Sequence, residues 1–379
     1  MRNKTILIIS PQAWGKMFVS KHHYAVELAK RGNTVYFLNP PDQQGFVIFK
    51  GFIVISPSGI QPNLYLINHR LFFPYSLKFH WISLFHFFMK YHVKEILKKI
   101  GPRVDIVWSF DLGNIYPFSF FPHNTFKIFH PVDEPLNQTA LDSGVGADVV
   151  FSVTKEILEK YQSISVTKSF INHGVSDDFL NQPERLKDEK EIKVGYTGNL
   201  LRRDIDRKTL LTIIAENPHV TFEFWGSIDN SSNLGATLDT GSTQFIDALR
   251  NFKNAILHGE VRSEDLANRI QFMDAFLICY DIQLDQSKGT NYHKIMEFLS
   301  TGKIVISNNV SVYKDQPHLV RMPLSRSNNN ELTAIFKQTI NEIELVNSAS
   351  NRQLRKDFAR DNSYKRQVDR IESVIKNQK

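Results

Sequence analysis

The stretch that decides the fold is GTNYHKIMEFLSTGKIVISNN, residues 289–309. Its middle has the apolar spacing of a helix, and the run KIVIS behind it is typical of a buried strand. Lys294 and Glu297 lie inside the helical part, whose apolar residues should be buried. Those apolar residues are Ile295, Met296, Phe298 and Leu299. If the helix is simply amphipathic, the two charged side chains face solvent, so the helix alone leaves their role open.

Length, cysteine content and charge restrict the class of protein. The chain has 379 residues, more than a single core usually holds, so we expect two domains. The single cysteine, Cys279, excludes an intramolecular disulfide framework and suits a reducing compartment. The start MRNKTILIIS has too short an apolar run for a signal peptide, so we expect a cytoplasmic protein. The net charge of +7 favours an anionic partner, which could be nucleic acid, anionic lipid or a phosphorylated substrate.

Short β-branched or aromatic runs alternate with amphipathic stretches, which is typical of parallel βαβ units and predicts the α/β class. The predicted strands are Thr5–Ile9, Thr34–Leu38, Asp105–Trp108, Lys127–Phe129, Val149–Ser152, Lys193–Tyr196, Thr221–Trp225, Ala255–Leu257, Ala275–Tyr280 and Ile304–Ser307. The polar stretch SDDFLNQPERLKDEKE divides two such series. We predict a first domain over residues 1–176, a linker over 177–191, a second domain over 192–350 and a closing helical segment over 351–379.

Two open α/β sheets place a ligand at the carboxyl ends of their strands, in a cleft across which the domains face each other. In the second domain the loops at that edge are residues 197–208, 225–230, 258–265 and 280–294. The first turn of the helix opened by the last loop offers backbone N–H groups to an anion. Lys294 adds a full charge, and Glu297 can accept two hydrogen bonds from a sugar diol. This combination suits a nucleotide.

Several motifs occur in an order that resembles the GT-B glycosyltransferases, closest in style to their family 4. They are GYTGN, FEFWGS, ILHGEVRSEDLANRIQFMDAFLICY, NYHKIMEFLSTGKIVIS, INHGV and SYKRQVDRIESVI. The resemblance implies two Rossmann-like domains and a closing helix that returns to the first. It places the family's lysine and glutamate on Lys294 and Glu297. The sequence departs from the family at Gly289, where many members have a further glutamate, and at Asn199, where an arginine is frequent.

The resemblance implies a nucleotide-sugar site in the second domain. Its candidate residues are Gly198, Asn199, Arg202, Arg203, Gly226, Thr290, Asn291, Tyr292, Lys294 and Glu297. Arg202 or Arg203 could supply the missing cation to the diphosphate, or both could be solvated loop charges. The triplet DID at 204–206 resembles no metal site of the family, and Asp206 is a predicted helix N-cap. We therefore expect no metal and no cofactor apart from the donor substrate.

The first domain is expected to hold the acceptor. Its loop SPQAWGKMFVSKHHYA lacks the glycine pattern of a dinucleotide site. A lone histidine is usually structural, but His22 and His23 form a pair at the start of a helix and could titrate near neutrality. Asp111 and Asp133 follow other strands of this domain. These four residues are the catalytic candidates, and the sequence does not choose among them.

The segment 75–101 is rich in aromatic residues and then in lysine. A stripe at four-residue steps, beside Phe85, Phe88 and Tyr91, is formed by His86, Lys90, Lys94 and Lys98. One interpretation is an interfacial helix that contacts anionic membrane, peripherally and on the inner face of the cell membrane. The other is a helix packed on the first sheet with a solvated lysine face.

The most specific hypothesis is a glycosyltransferase of cell-surface polysaccharide synthesis. It would move a sugar from a nucleotide-sugar donor to a saccharide or lipid-linked saccharide acceptor, with retention if the likeness to family 4 holds. One alternative is a nucleotide-sugar epimerase of the same fold. Another is a nonenzymatic protein that binds saccharide or nucleic acid, although the chain lacks the interleaved aromatic and basic motif of RNA-binding surfaces. We therefore expect no nucleic-acid partner.

Overall fold

The structure is a computed structural model that describes residues 1–15, 18–42, 51–101, 103–183, 191–229, 240–285 and 288–377. The chain forms two compact units. Unit 1 comprises Met1–Asn172 and Tyr364–Lys379, and unit 2 comprises His173–Ser363. Residues 184–190 of the predicted linker lie outside the described residues. Each unit contains a wholly or mostly parallel sheet with helices, which confirms the predicted α/β class.

Unit 1 is built on a sheet that has eight strands within the described residues. They are β1 Thr5–Ile9, β2 Thr34–Leu38, β3 Phe52–Pro57, β4 Leu64–Arg70, β5 Ile106–Ser109, β6 Phe126–Phe129, β7 Val149–Ser152 and β8 Thr167–Phe170. Their order is β3-β4-β2-β1-β5-β6-β7-β8. β3 pairs with β4 in the antiparallel sense, and the other neighbours are parallel. The chain changes direction across the sheet between β1 and β5, which makes their carboxyl ends the natural ligand edge.

Helices cover both faces of this sheet. They are α1 Ser20–Lys30, α2 Leu77–His80, α3 Ile82–Ile100, α4 Gln138–Asp142 and α5 Lys155–Lys160, with a 3₁₀ turn at Phe118–Phe120. Along β1, Ile6 and Ile8 join one apolar cluster with residues of α1. Leu7 and Ile9 join the other cluster, with residues of α3. Successive strand residues face opposite sides, so burial on both faces explains why Ile6–Ile9 are all apolar.

Unit 2 has a six-stranded parallel sheet within its described part. Its strands are β9 Ile192–Thr197, β10 Val220–Trp225, β11 Ala255–Gly259, β12 Ala275–Ile278, β13 Ile304–Ser307 and β14 Val320–Arg321. The order β11-β10-β9-β12-β13-β14 places the change of direction between β9 and β12. In open α/β sheets a ligand binds at this point, at the carboxyl ends of the two strands.

The helices of unit 2 are α6 Asp177–Leu180, α7 Arg207–Glu216, α8 Thr240–Asn251, α9 Ser263–Arg269, α10 Lys294–Ser300, α11 Leu332–Asn341, α12 Ile343–Val346 and α13 Ala349–Asp361, with 3₁₀ turns at Ile270–Phe272 and Ser311–Tyr313. As predicted, Asp206 caps α7, since its Oδ1 accepts a hydrogen bond from the Thr209 N–H at 3.0 Å. The chain then returns to unit 1 as α14, Tyr364–Lys376. There Tyr364, Val368 and Ile371 join the cluster that contains α1.

No helix among the described residues is long and apolar enough to cross a membrane.

Candidate functional site

Lys294 is the first residue of α10 and lies at the change of direction in the unit 2 sheet. Its side chain is buried, and Nζ donates hydrogen bonds to the carbonyl of Thr197 at 2.5 Å and to the hydroxyl of Tyr280 at 2.8 Å. Thr197 ends β9, and Tyr280 follows β12. The lysine therefore connects α10 to the carboxyl ends of the two strands between which this fold binds ligands.

α10 is held against the sheet by aromatic stacking. Phe298 stacks on Phe276 of β12 with the ring centroids 4.2 Å apart. The helix has seven residues and begins at Lys294. Because so short a helix has a weak dipole, the positive charge of the site comes chiefly from the Lys294 ammonium.

One glycine turn faces this lysine, and a second packs against the first. Gly198 follows β9 with φ +136°, and a Cβ there would lie 2.8 Å from the Lys294 Nζ. Gly226 follows β10 with φ +146°, and a Cβ there would lie 1.8 Å from the Gly198 carbonyl oxygen. The Gly198 N–H also donates to the Trp225 carbonyl at 2.8 Å. Both predicted positions thus require glycine for conformation and for space. The surface beside the Lys294 side chain is therefore formed by backbone atoms.

Glu297 lies one helical turn beyond Lys294 and is partly buried. Burial raises the pKa of its carboxyl to about 7, against the opposing effect of the Lys294 charge. Among the described residues, no side chain or N–H group donates a hydrogen bond to this carboxylate. Its acceptor capacity is therefore available to a ligand.

The loop before α10 is fixed by a buried polar network that the sequence analysis did not identify. The Asp285 carboxylate accepts hydrogen bonds from the Gly289 N–H at 2.9 Å and the Tyr292 hydroxyl at 2.7 Å. Asn308 donates to the same hydroxyl at 3.0 Å and accepts from the Tyr280 N–H at 3.0 Å. Burial and the adjacent Asp285 hold the pKa of Tyr292 well above its ordinary value. The Tyr292 hydroxyl thus supports the loop.

Position 289 has no room for a side chain. Gly289 has φ +63°, and a Cβ there would lie 2.6 Å from the Asn309 carbonyl oxygen. This backbone path accounts for the absence of the glutamate that the resemblance would place there. The next two candidates, Thr290 and Asn291, are buried in the segment that precedes α10.

The candidate cations in the loop after β9 differ in their surroundings. Arg202 forms a two-pronged ion pair with Asp204, with Nε 2.8 Å from Oδ1, and lies 5.1 Å from the ring centroid of Tyr280. Arg203 is exposed. Asn199, where the family frequently has arginine, accepts a hydrogen bond from the Leu201 N–H at 2.8 Å and so shapes its own turn. Arg202 therefore lies beside the Lys294 site, but Asp204 already neutralises its charge.

His22, a catalytic candidate in unit 1, is bound to its own loop. Its Nδ1 accepts a hydrogen bond from the Val19 N–H at 3.1 Å, and its Nε2 donates to the Ala13 carbonyl at 3.2 Å. Burial lowers the pKa of this histidine to about 4, so it is neutral at pH 7. The neighbouring His23 stacks on Tyr364 of α14 at 4.7 Å.

The two acidic candidates of unit 1 lie in different environments. Asp111 is buried and accepts hydrogen bonds from the N–H groups of Gly113 and Ile115, both at 2.7 Å. Burial nevertheless raises the pKa of its carboxyl. Asp133 is exposed, and its charge acts on the buried Lys21, which the sequence analysis did not single out. A catalytic role for His22, His23, Asp111 or Asp133 stays a prediction.

A cavity of about 550 Å³ lies elsewhere in unit 1, with Phe118, Phe121 and Lys127 in its wall. None of the candidate residues lines it. Within the described ranges, no group of three or more His, Cys, Asp or Glu side chains is arranged to hold a metal ion.

Several solved structures are similar to this chain. Sucrose-phosphate synthase from Thermosynechococcus elongatus has a TM-score of 0.69 at 14% identity, over 99% of both chains. HepE of Anabaena, in complex with UDP and glucose, has a TM-score of 0.61 at 12% identity, over 98% of this chain and 99% of that one. The lipopolysaccharide outer core galactosyltransferase WaaB in its apo form has a TM-score of 0.60 at 13% identity, over 99% and 100%.

No protein-family model matches the sequence, and no curated protein matches it. At these identities the likeness concerns the fold, and it extends over nearly the whole length of the chain. The predicted fold is confirmed: the chain has the GT-B fold of these glycosyltransferases.

Proposed function

We propose that the chain is a glycosyltransferase that binds a nucleotide-sugar donor in unit 2 and transfers the sugar to a hydroxyl of a saccharide or lipid-linked saccharide. The observation that carries this proposal is the position of Lys294 and Glu297 at the change of direction between β9 and β12. A buried ammonium and an unengaged carboxylate one turn apart suit the two ends of one ligand, a diphosphate and a ribose diol.

The geometry leaves Lys294 one donor for a ligand. An ammonium group has three N–H donors, and two of them bond to Thr197 and Tyr280. The third can meet an oxygen of the leaving diphosphate. Because Lys294 is buried and fixed by its two other bonds, its charge stabilises the leaving group without reorganisation.

UDP is the first nucleotide to test. HepE was solved with UDP, and the trehalose-phosphate synthase from Burkholderia vietnamiensis, at a TM-score of 0.67, is described as UDP-forming. Retention of configuration and a role in cell-surface polysaccharide synthesis belong to the proposal through the family resemblance. A lipid-linked acceptor would place the protein at the inner face of the cell membrane.

The proposal includes no metal and no cofactor beyond the donor. Turnover should persist in excess chelator, because the donor loops supply backbone groups and a lysine as the partners of the diphosphate. Loss of turnover that Mg²⁺ or Mn²⁺ restores would contradict this part.

The deciding experiment incubates the protein with a panel of nucleotide sugars and candidate acceptors, measuring nucleoside diphosphate release together with the sugar product. We expect one donor to give nucleoside diphosphate release that depends on the acceptor. Glu297→Gln should weaken the binding of that donor. Glu344→Gln, at an exposed glutamate on α12, should leave the donor affinity unchanged. An epimerised sugar product would favour the epimerase, and tight binding without turnover would favour a nonenzymatic binding protein.

A further inference from the structure

The segment from α2 into α3 exposes large apolar side chains. We call residues 79–94 the α2–α3 surface. Its exposed fractions are Phe79 71%, Trp81 66%, Ile82 42%, Leu84 40%, Phe87 54% and Tyr91 53%. Single exposed apolar residues are ordinary on a protein surface, but a contiguous group marks an interaction site.

The two faces of α3 show how this surface arises. Phe85, Met89 and Val93 are buried in the core of unit 1. Leu84, Phe87 and Tyr91 follow one another at three- and four-residue steps on the opposite side, and Lys94 continues that row. The row is therefore apolar over the first half of the helix and basic over the second.

The structure corrects which side chains of this segment are exposed. Phe85 is fully buried, and His86 is half-buried with its Nε2 donating to the Asn114 carbonyl at 2.8 Å. Neither belongs to the exposed row. The exposed aromatic residues are instead Phe79, Trp81, Phe87 and Tyr91.

The lysines of α3 are not equally available. Lys98 forms an ion pair with Glu95 at 2.5 Å, and Lys99 donates to the Ile53 carbonyl at 2.8 Å. Lys90 and Lys94 are exposed and form no ion pair with the described residues. Two available lysines give a modest attraction to an anionic surface, so the apolar side chains must supply much of any binding energy.

We propose that the α2–α3 surface docks on an anionic lipid bilayer. Phe79 and Trp81 enter the interface at the amino end of α3, and Lys90 and Lys94 meet the headgroups. Tryptophan and tyrosine suit this position because each joins an apolar ring to a polar atom. The adjacent positive charge selects anionic lipid. This proposal does not depend on the proposed enzymatic function.

The test is sedimentation with vesicles of phosphatidylcholine alone or mixed with phosphatidylglycerol. The parent protein should sediment with the mixed vesicles. Phe79→Ser/Trp81→Ser should reduce the partition coefficient about tenfold or more, and Lys90→Gln/Lys94→Gln should reduce it only on anionic vesicles. About 0.5 M NaCl should remove the lysine contribution and leave part of the apolar one.

A matched control removes two exposed apolar side chains from unit 2. Leu324 and Leu345 are 94% and 73% exposed, so Leu324→Ser/Leu345→Ser should bind vesicles like the parent protein. Unchanged melting temperatures will show that the variants fold, which the exposure of the substituted residues leads us to expect.

Tryptophan fluorescence reports the contact directly. Trp108 and Trp225 are buried, Trp14 is partly buried and Trp81 is 66% exposed. A blue shift on mixed vesicles, with quenching by brominated lipid, should therefore come from Trp81 and disappear in Trp81→Phe. The proposal is overturned if the parent protein stays in the supernatant with mixed vesicles, or if Phe79→Ser/Trp81→Ser binds as well as the parent. A dimer in size-exclusion chromatography that this variant dissociates, without vesicle binding, would assign the surface to protein contact instead.

Discussion

Replacing Lys294 by methionine should lower both the stability of unit 2 and its affinity for a nucleotide. Methionine has nearly the length of lysine but no donor, so the Thr197 carbonyl and the Tyr280 hydroxyl each lose a hydrogen bond. A buried polar group left without its partner costs about 1–3 kcal/mol, and the removal of a buried charge offsets part of this loss. We expect a net loss of about 2 kcal/mol, or about 4–8 °C in the melting temperature for a unit of this size.

The affinity should fall separately from the stability. If the third N–H of Lys294 meets a diphosphate oxygen, its loss removes a hydrogen bond from a charged donor, worth about 1.5–3 kcal/mol. The dissociation constant should then rise about 10- to 150-fold. Calorimetry with UDP, GDP and ADP, well below the melting temperature of the variant, measures this effect on folded protein. Lys337→Met, at an exposed lysine on α11, is the matched control and should change neither quantity.

The two measurements can refute the two parts of the reasoning independently. A melting temperature equal to that of the parent would show that the bonds of Lys294 to Thr197 and Tyr280 do not stabilise unit 2. A lower melting temperature with unchanged nucleotide affinity would show that Lys294 is only a structural support. The donor site would then have to be sought elsewhere.

Four further outcomes concern the pH dependence of stability and affinity and the backbone at Gly226. Burial raises the pKa of Glu297 from 4.5 to about 7, so in this range the folded protein retains a proton that the unfolded chain releases. The free energy of unfolding should therefore fall as pH rises from about 5 to about 7. Glu297→Gln should remove this slope in urea unfolding measured at a series of pH values. Nucleotide affinity of the parent should rise over the same range as the carboxylate forms, and an affinity independent of pH would contradict the role of this carboxyl. Burial lowers the pKa of His69 to about 3 and that of His92 to about 4, so unit 1 should lose stability as pH falls from about 6.5 towards about 4. His92→Gln should reduce that loss of stability in acid titrations followed by circular dichroism. An acid profile identical to that of the parent protein would contradict this prediction. Gly226→Ala should lower the free energy of unfolding by more than about 3 kcal/mol or prevent folding, since the added Cβ would overlap a carbonyl oxygen. The control Gly15→Ala, with nothing within 4 Å of its Cβ, should have the melting temperature of the parent.

The strands that the sequence predicted best are those buried on both faces. β1, β2, β7 and β13 have the predicted bounds, because burial on both sides requires an uninterrupted apolar run. β3, β4, β8 and β14 were missed. Residues 52–57 and 167–170 are only partly buried, and β4 ends in the polar residues Asn68, His69 and Arg70. Such strands depend on pairing with distant neighbours more than on local composition.

At the candidate site, motif order identified Lys294 and Glu297 but not their contacts. The Thr197 carbonyl that holds Lys294 is 97 positions away in the sequence. Asp285 and Asn308 fix the loop before α10 through side chains, and nothing in the sequence around them distinguishes them from solvated loop residues. The pairing of Arg202 with Asp204 was within reach of sequence reasoning, since the two residues are two positions apart.

The return of the chain into unit 1 makes unit 2 an insertion between two parts of another folding unit. The two ends of the insertion are adjacent, because the Val175 N–H donates to the Asn362 carbonyl at 3.1 Å. During synthesis, unit 2 is therefore complete before the amino-terminal domain receives α14 and buries Val368 and Ile371. A premature stop after Ser363 would spare every residue of unit 2 but remove α14 and uncover the core of unit 1, so a nonsense mutation in the segment that encodes α14 would damage a domain most of which is synthesised before unit 2.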